Sequence, residues 1–398
     1  MRGTVEVFLV FLRLGCTSFG GPVAHLGYFR TELVAKRQWV SEATFADLVA
    51  LCQFMPGPAS SQTGMGIGLL RAGPLGMLAA WVGFTLPSAL AMTAFGYGIG
   101  AVGDVSEAGW LRGLKLVAVA VVAQAVWGMA RSLTPDRERA TVAVVACLLA
   151  LAIPSSLGQV IAIVLGGLAG LTVLPRQATG TEPPAALGVR VSRSAAVGLL
   201  AAFGVVLAGL PWLARVSGSH AIALVDAFYQ AGSLVFGGGH VVLPLLQASV
   251  VPPGWVGQDA FLAGYGATQA MPGPVFTFAA FLGAVEGPSP NGWLGALVAT
   301  VSIFASSFLL VGGLLPFWDT LRHRHGARAA LRGVNAAVVG VLLAALFTPI
   351  WTGAVHSGAD FGLGLVAFLL LTLWATPPWL VVVLGAAAGW GLGFLGWA

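Results

Sequence analysis

The sequence predicts an all-α integral membrane protein made of two inverted-topology repeats with broken, re-entrant helices. Three observations carry that expectation. Of 398 residues, 58% are hydrophobic and 8% charged, whereas an average soluble domain carries roughly 25% charge. Short blocks recur in the same order in the two halves of the chain. The loops of the two copies carry opposite patterns of positive charge.

Composition narrows the class further. Glycine (56) and proline (22) are abundant without a G-X-Y period, which excludes collagen and suits transmembrane helices. The formal charge of +5 is spread over short loops with no Lys/Arg tract, so no nucleic-acid partner is expected. Cys16, Cys52 and Cys147 lie singly in apolar segments; they form neither a disulfide framework nor a CxxC metal site. The apolar start "VEVFLVFL" is interrupted by Arg13 and no A-x-A pattern follows, so the first segment is expected to stay in the mature protein.

The repeat comes next. Phe19-Gly20-Gly21 matches Phe236-Gly237-Gly238, Trp39-Val40 matches Trp255-Val256, and Phe45 matches Phe261. Gln53 and Met55 to Pro58 match Gln269 and Met271 to Pro274, and Leu111 to Gly113 match Leu331 to Gly333. The division predicted is a first repeat at 1–175, a connecting segment at 176–219 and a second repeat at 220–398. The connecting segment holds a polar, proline-containing loop and a hydrophobic run, 195–213, of about the 20 residues that cross a bilayer.

Loop charge orients the copies. Arg30, Lys36 and Arg37 fall in 30–37, and the matching 249–258 has no Lys or Arg; 131–139 carries three arginines and its match, 352–360, none. Arg322, Arg324, Arg328 and Arg332 place 319–332 in the cytoplasm, opposite a segment that begins with Asp104 and Glu107, although Arg112 and Lys115 blunt this last comparison.

Residues 41–55 and 58–70 flank the first "MPGP". Each arm reaches only about 21 Å at 1.5 Å per residue, short of the roughly 30 Å hydrocarbon core. Both outer ends carry cytoplasmic-type charge, at Arg37 and Arg71, so the pair reads as a re-entrant hairpin. Four long runs (75–102, 109–130, 139–153, 157–174) read as spans. If 195–213 also spans, the segment carrying Phe19-Gly20-Gly21 must return to its own side as a second broken hairpin. In the competing reading that segment spans and 195–213 lies on the surface.

Unwound backbone at membrane depth is tolerated only where it lines a cavity or is buried in protein. Four breaks resemble the discontinuous helices of secondary transporters. Pro22 and Pro58 suit the first turn of a returning helix, whose N-terminus favours anions. Ser60, Ser61, Gln62, Thr63 and Thr277 follow the breaks as donors. A donor-rich cavity without clustered carboxylates suits an oxyanion rather than a hard cation.

Arg13, two turns before Gly20, is either a counter-charge for that anion or a side chain that snorkels to the interface. Asp47 and Asp226 are candidates for coupled protons or for pairing with Arg13. His25 and His240 share that reading beside one of packing and hydrogen bonding, and their spacing forms no metal set. Gln53 and Gln269 precede the tips, as glue between helices or as part of the site. No cofactor, metal or enzymatic constellation is expected.

"SFGGP", the two "MPGP" copies and "SLVFGGGH" together resemble the chromate ion transporter family in its long, two-domain form. The resemblance covers nearly the whole chain. It implies a multi-pass protein of the bacterial inner membrane that exports chromate, driven by the membrane potential or an ion gradient, and so confers resistance. It further implies sulfate as competitor or counter-substrate, the bilayer as surroundings, coupling to protons or a counter-anion, and leaves a homodimer open. The positions carried over are Phe19, Gly20, Gly21, Pro22 and His25; Pro56, Gly57 and Pro58; Phe236, Gly237, Gly238, Gly239 and His240; and Pro272, Gly273 and Pro274. The copies differ where Gly21-Pro22 faces Gly238-Gly239 and where Arg13 aligns near Gln230, so the first is expected to hold more of the anion's charge. A carrier of sulfate or another oxyanion, and an anion channel, are the alternatives.

Overall fold

The computed structural model describes residues 2–102, 108–174, 191–236, 239–321 and 324–394. Readings that rest on Asp104, Glu107, Arg322, Gly237, Gly238 or the loop at 175–190 lie outside these residues. The described chain is helical throughout. In order it forms α1 (Arg2–Thr17), α2 (Gly21–Phe29, continued by a π-helical stretch Arg30–Lys36), α3 (Glu42–Phe54), α4 (Ala59–Val102), α5 (Gly109–Leu133), α6 (Arg137–Ala152), α7 (Ser156–Thr172) and α8 (Arg193–Ser217). The second half follows with α9 (His220–Leu234), α10 (Val242–Val250), α11 (Gln258–Thr268), α12 (Phe278–Val285), α13 (Gly292–Leu314), α14 (Trp318–Leu321), α15 (His325–Ala345), α16 (Gly358–Thr372) and α17 (Pro378–Phe394).

The helices of the first repeat break where glycine and proline stand. α4 is two helices, because Ala72 (φ −140°, ψ 21°) and Gly73 (φ 68°, ψ −159°) leave helical geometry before Pro74. Gly68 and Gly76 then lie back to back across this reversal, so close that a Cβ on either would strike the other's carbonyl. The chain therefore makes two hairpins, α1 with α2 and α3 with 59–71, and the mouths of both coincide. Glu6 reaches Arg37 at 3.5 Å and Arg71 at 3.4 Å, and both guanidiniums stack over Trp39, at 5.7 and 5.3 Å from the ring centre. The segment with Phe19-Gly20-Gly21 thus returns to the end it left. Nearby, Arg37 also donates to Glu32 at 2.9 Å, a hydrogen bond that holds the Glu32 carboxyl below its ordinary pKa.

The second repeat gathers its hairpin mouths in the same manner with different chemistry. His220 Nε2 meets Glu286 Oε2 at 3.0 Å, its ring packs edge-on against Trp255 at 4.5 Å, and Gly287 N–H donates to the Trp255 carbonyl at 3.0 Å. Trp39 and Trp255, matched in the sequence, stand in equivalent latches. Glu286 is 3% exposed. Burial pushes its carboxyl up to about 8 and pushes His220 below its ordinary value. At neutral pH the contact is a carboxylic acid donating to a neutral imidazole.

The two latches occupy opposite ends of the molecule. The second arm of α4, 74–102, starts beside Arg71, and its Gly96 touches Ala284 and Val285 beside Glu286. The 24 residues from 72 to 96 cover about 36 Å at 1.5 Å each. Its counterpart α13 runs antiparallel to it: Tyr97 accepts from the Trp293 N–H at 3.0 Å, while Trp81 packs on Phe304 and Phe308 at 5.8 and 5.4 Å. The hairpin pairs therefore enter from opposite ends.

The later helices interlock. Gly113 and Gly109 of α5 lie against Gly385 and Gly389 of α17, and Gly333 of α15 lies against Gly166 and Gly170 of α7. Small residues at such crossings let helix backbones approach within lipid, where van der Waals packing has to supply the association. This explains why the Leu-Arg-Gly block recurs: each copy supplies the glycine of one crossing. α8 packs at the edge, Leu199 and Leu200 against Gly312 and Gly313, with Tyr229 donating to the Phe203 carbonyl at 3.3 Å. Its 25 residues span about 37 Å. Among the described residues five helices are long and apolar enough to cross a membrane, α8 among them. Of the two readings of the first segment, the geometry gives the hairpin, with 195–213 inside a full-length helix.

Candidate functional site at the four helix breaks

All four breaks meet through two reciprocal hydrogen bonds. Gly57 N–H, in the first MPGP tip, donates to the Val235 carbonyl in the second repeat's glycine break at 2.6 Å. Gly273 N–H, in the second tip, donates to the Ser18 carbonyl in the first repeat's break at 2.9 Å. Both glycines need their positive φ, +119° and +89°, which any residue with a Cβ adopts only at a cost. Space is equally restrictive: a Cβ on Gly57 would meet Ser307 Oγ at 3.2 Å, and one on Gly273 would meet Ser88 Oγ at 2.9 Å.

The returning helices start at these tips with unequal polarity. In the first repeat Pro58 is the residue before the helix, its carbonyl accepting from Gln62 N–H at 2.9 Å. Of the two prolines expected in a first helical turn, only Pro22, in α2, takes that place. Ser60, Ser61, Gln62 and Thr63 follow, all buried. Gln62 donates to the Pro56 carbonyl at 2.7 Å and to Ser307 Oγ at 3.3 Å, and His25 Nδ1 lies 3.3 Å from Ser60 Oγ. In the second repeat Pro274 leads first into a short 3-10 turn, Val275–Thr277, before α12. The equivalent positions there are Phe276, Thr277, Phe278 and Ala279, and Thr277 spends its hydroxyl on the Pro274 carbonyl at 2.7 Å.

Several buried polar atoms around the first tip have no protein partner among the described residues: Ser18 Oγ, His25 Nε2, Ser61 Oγ and Gln62 Oε1, with Ser306 Oγ alongside on α13. Leaving a buried polar group unpaired costs about 1–3 kcal/mol. The tautomer of His25 sets which way its bond to Ser60 runs. The three hydroxyls, of Ser18, Ser61 and Ser306, lie near the N-termini of α2 and α4, whose dipoles favour negative charge.

The remaining predicted residues separate into those at the tips and those away from them. Phe19, Gly20, Gly21, Phe236, Gly239, Pro272 and Pro56 form the breaks themselves, and Gly239 abuts Pro22. His240 bonds the Tyr265 hydroxyl at 2.7 Å, and Gln269 caps α11, 3.5 Å from the Tyr265 carbonyl. Asp226 accepts from Gln230 at 2.7 Å within α9. Asp47 lies along α3 and is engaged in an interaction of its own. Arg13 is on the exposed stripe of α1 with Val5 and Leu9, and no described contact joins it to the tips. Sequence reasoning passed over Ser18, Ser88, Ser306 and Ser307. Hydroxyls inside continuous apolar helices carry no signal until the partner tip is known.

Gln53 is exposed although it stands two residues before Met55 of the tip. It opens on a groove between α3 and α15. The matching crossing of α11 with α5 is shut: Gly266 lies so near Leu114 that a Cβ would meet its carbonyl oxygen at 2.5 Å, and Lys115 Nζ pairs with Asp259 at 2.9 Å. One turn away Arg112 bonds Asp360 at 2.5 Å and Ser357 at 3.1 Å.

Among known proteins, this chain is 32% identical to a chromate transport protein of Pseudomonas aeruginosa over 348 residues, covering 85% of this chain and 79% of that one. A probable chromate transport protein of Synechococcus elongatus is 29% identical over 389 residues, 95% of this chain and 93% of its own length. An uncharacterized transporter of Methanocaldococcus jannaschii is 26% identical over 343 residues, 85% and 83% of the two chains. No solved structure matches. The chromate transporter family matches twice, over residues 5–171 and 222–390, once on each side of α8. With both repeats matched, this chain belongs to the chromate transporter family.

Proposed function

We propose that the protein is a secondary active carrier that moves a tetrahedral dianion, chromate foremost, out of the cytoplasm through the meeting point of the four breaks. The observation that carries this reading is the reciprocal pair Gly57 N–H to Val235 and Gly273 N–H to Ser18, surrounded by buried hydroxyls without partners among the described residues. Moving one repeat against the other must break or remake both bonds together, which couples the two hairpin pairs in one step. Discontinuous helices meeting between repeats are the usual ground plan of such carriers.

In this reading the end with Lys36, Arg37, Arg71, Arg131, Arg137 and Arg324 faces the cytoplasm and the end with Glu286 faces outward, in a bacterial inner membrane. The α3/α15 groove is then open inward and the α11/α5 crossing closed outward. The anion sits nearer the first repeat's tip, because that tip holds the free donors. Sulfate has the same charge and shape, so it competes.

The test is uptake by proteoliposomes holding labelled chromate or sulfate with the other anion as competitor. We expect saturable flux, faster when the opposite face also holds anion. Uptake of neither anion under any imposed gradient would refute the reading, and ohmic single-channel current would replace the carrier with a channel. Orientation is checked in a cysteine-free background: Val34→Cys and Pro253→Cys label from opposite sides.

A further inference from the structure

We propose that the groove between α3 and α15 is a second oxyanion site, which captures the dianion on the arginine-rich side before it reaches the tips. This deepens the carrier reading and rests on it for the direction of travel. The groove encloses about 410 Å³ and is lined by Gln53 and Phe54 from α3 and by Arg328, Arg332 and Asn335 from α15, with Trp318 at its side.

The spacing on α15 is what makes this a site. Residues 328, 332 and 335 follow one another at four and three, so they share a helix face. They form a row about 10 Å long at 1.5 Å per residue, with Arg328 outermost and Asn335 innermost. A guanidinium presents a planar fork of donors that matches two oxygens of a tetrahedral anion, and such charge-assisted bonds are about twice as strong as neutral ones. Asn335 Oδ1 is buried without a protein partner among the described residues, and the carboxamide is able to turn its NH2 group inward. Gln53, exposed at the same level, adds a second carboxamide two residues before Met55. The row therefore steps from full charge to neutral donors on the way to the break, holding the anion progressively less tightly as it nears the transfer point. Arg332 and, on α3, Asp47 each take part in an interaction already, and an arriving dianion competes with the one at Arg332.

The ligand chemistry is a tetrahedral oxyanion, either a dianion free in water or the singly charged phosphodiester of a lipid headgroup. The experiment separates the two. The full chain is placed in nanodiscs of zwitterionic lipid and titrated calorimetrically with sodium sulfate and sodium chromate, with chloride as the monovalent control. We expect R328Q/R332Q to weaken both dianions at least tenfold, R328K/R332K to lose less, and R131Q, whose arginine stacks on Trp127 outside the groove, to bind as the parent does. Size-exclusion and circular dichroism show whether each variant is folded, and N335A gives a milder second variant with a two- to fivefold loss.

Unchanged dianion binding in a folded R328Q/R332Q overturns the proposal while the carrier reading stands on uptake. Weakened binding in a protein that shows no uptake keeps the groove site and removes the carrier. If nanodiscs of anionic phosphatidylglycerol abolish sulfate binding to the parent, the groove holds lipid phosphate, and its role in capturing substrate falls.

Discussion

The two crossings that flank the tips occupy matching places in the repeats, yet one is open and the other shut. Where α11 meets α5, Gly266 admits the backbone of Leu114 and Lys115 pairs with Asp259. Where α3 meets α15, the same positions hold Ala50, Val334, Asn335 and Ala43, and the groove of about 410 Å³ remains. The position of Asp360, third residue of α16, is taken in α6 by Arg139, which turns to its own helix cap Asp136 at 2.5 Å. Duplicated architecture supplies both crossings, and a handful of side chains decides which one closes.

The largest effect is expected at the Arg112–Asp360 pair. Asp360 is fully buried and also accepts from the N–H groups of His356 and Ser357 at 3.1 and 3.0 Å. Asp360→Ala leaves Arg112, 20% exposed, with Ser357 but without its carboxylate. Breaking a buried pair from one side typically costs about 3–5 kcal/mol. Thermal unfolding in detergent should show the loss. A shift no greater than that of an exposed-pair variant would mean that water solvates Arg112, and that the closed crossing is less dry than described.

Next comes Gly266→Val. The added carbons press on the Leu114 backbone, which has to move, and overpacking of this kind costs about 1–3 kcal/mol. If the crossing is a gate, the variant also opens it. A cysteine at Ala270, two residues past the end of α11, should then react faster with a membrane-impermeant thiol reagent added from the Glu286 side, in a cysteine-free background. Unchanged reactivity together with lowered stability would make the crossing structural only.

How much of this was legible beforehand follows from where each signal lies. Glycine and proline must stand at a break, so the MPGP and Phe-Gly-Gly blocks announced the four tips, and loop arginines announced the end that holds Glu6, Arg37 and Arg71. Arg13 was harder to place. In water, a stripe of Val5, Leu9 and Arg13 would mark its apolar members as core, but lipid-facing and buried positions are equally apolar inside a membrane, so hydropathy cannot tell the faces apart. The groove was hidden for a different reason. Arg328 and Arg332 read as orientation signals, and nothing local distinguishes an arginine that marks a side from one that lines a cavity. The reciprocal Gly57 and Gly273 bonds were out of reach because each joins residues from different halves.

The latches at the two ends extend the comparison to smaller effects, since one uses fixed charge in the open and the other a buried titratable pair. Raised to about 8, the Glu286 carboxyl contributes stability that is complete below its ordinary pKa near 4.5 and is lost as pH rises through about 8. His220, lowered from 6.5, works in the opposite sense: its contribution is present above 6.5 and is lost as pH falls below that. Between about pH 6.5 and 8.5 only the Glu286 contribution changes appreciably, so the melting temperature should fall across that window and Glu286→Gln should flatten the curve. The Glu6 latch gives the contrast. Glu6 and Arg71 are 41% and 42% exposed, and solvated pairs of this kind are worth about 0–1 kcal/mol. Glu6→Gln should therefore lower stability by less than about 1 kcal/mol, with a difference that shrinks in high salt as the pair is screened. No pH response in the parent between 6.5 and 8.5 would show that the two ends are matched in chemistry as well as in fold. The contrast between a solvated inner latch and a dry outer one would then lose its physical basis.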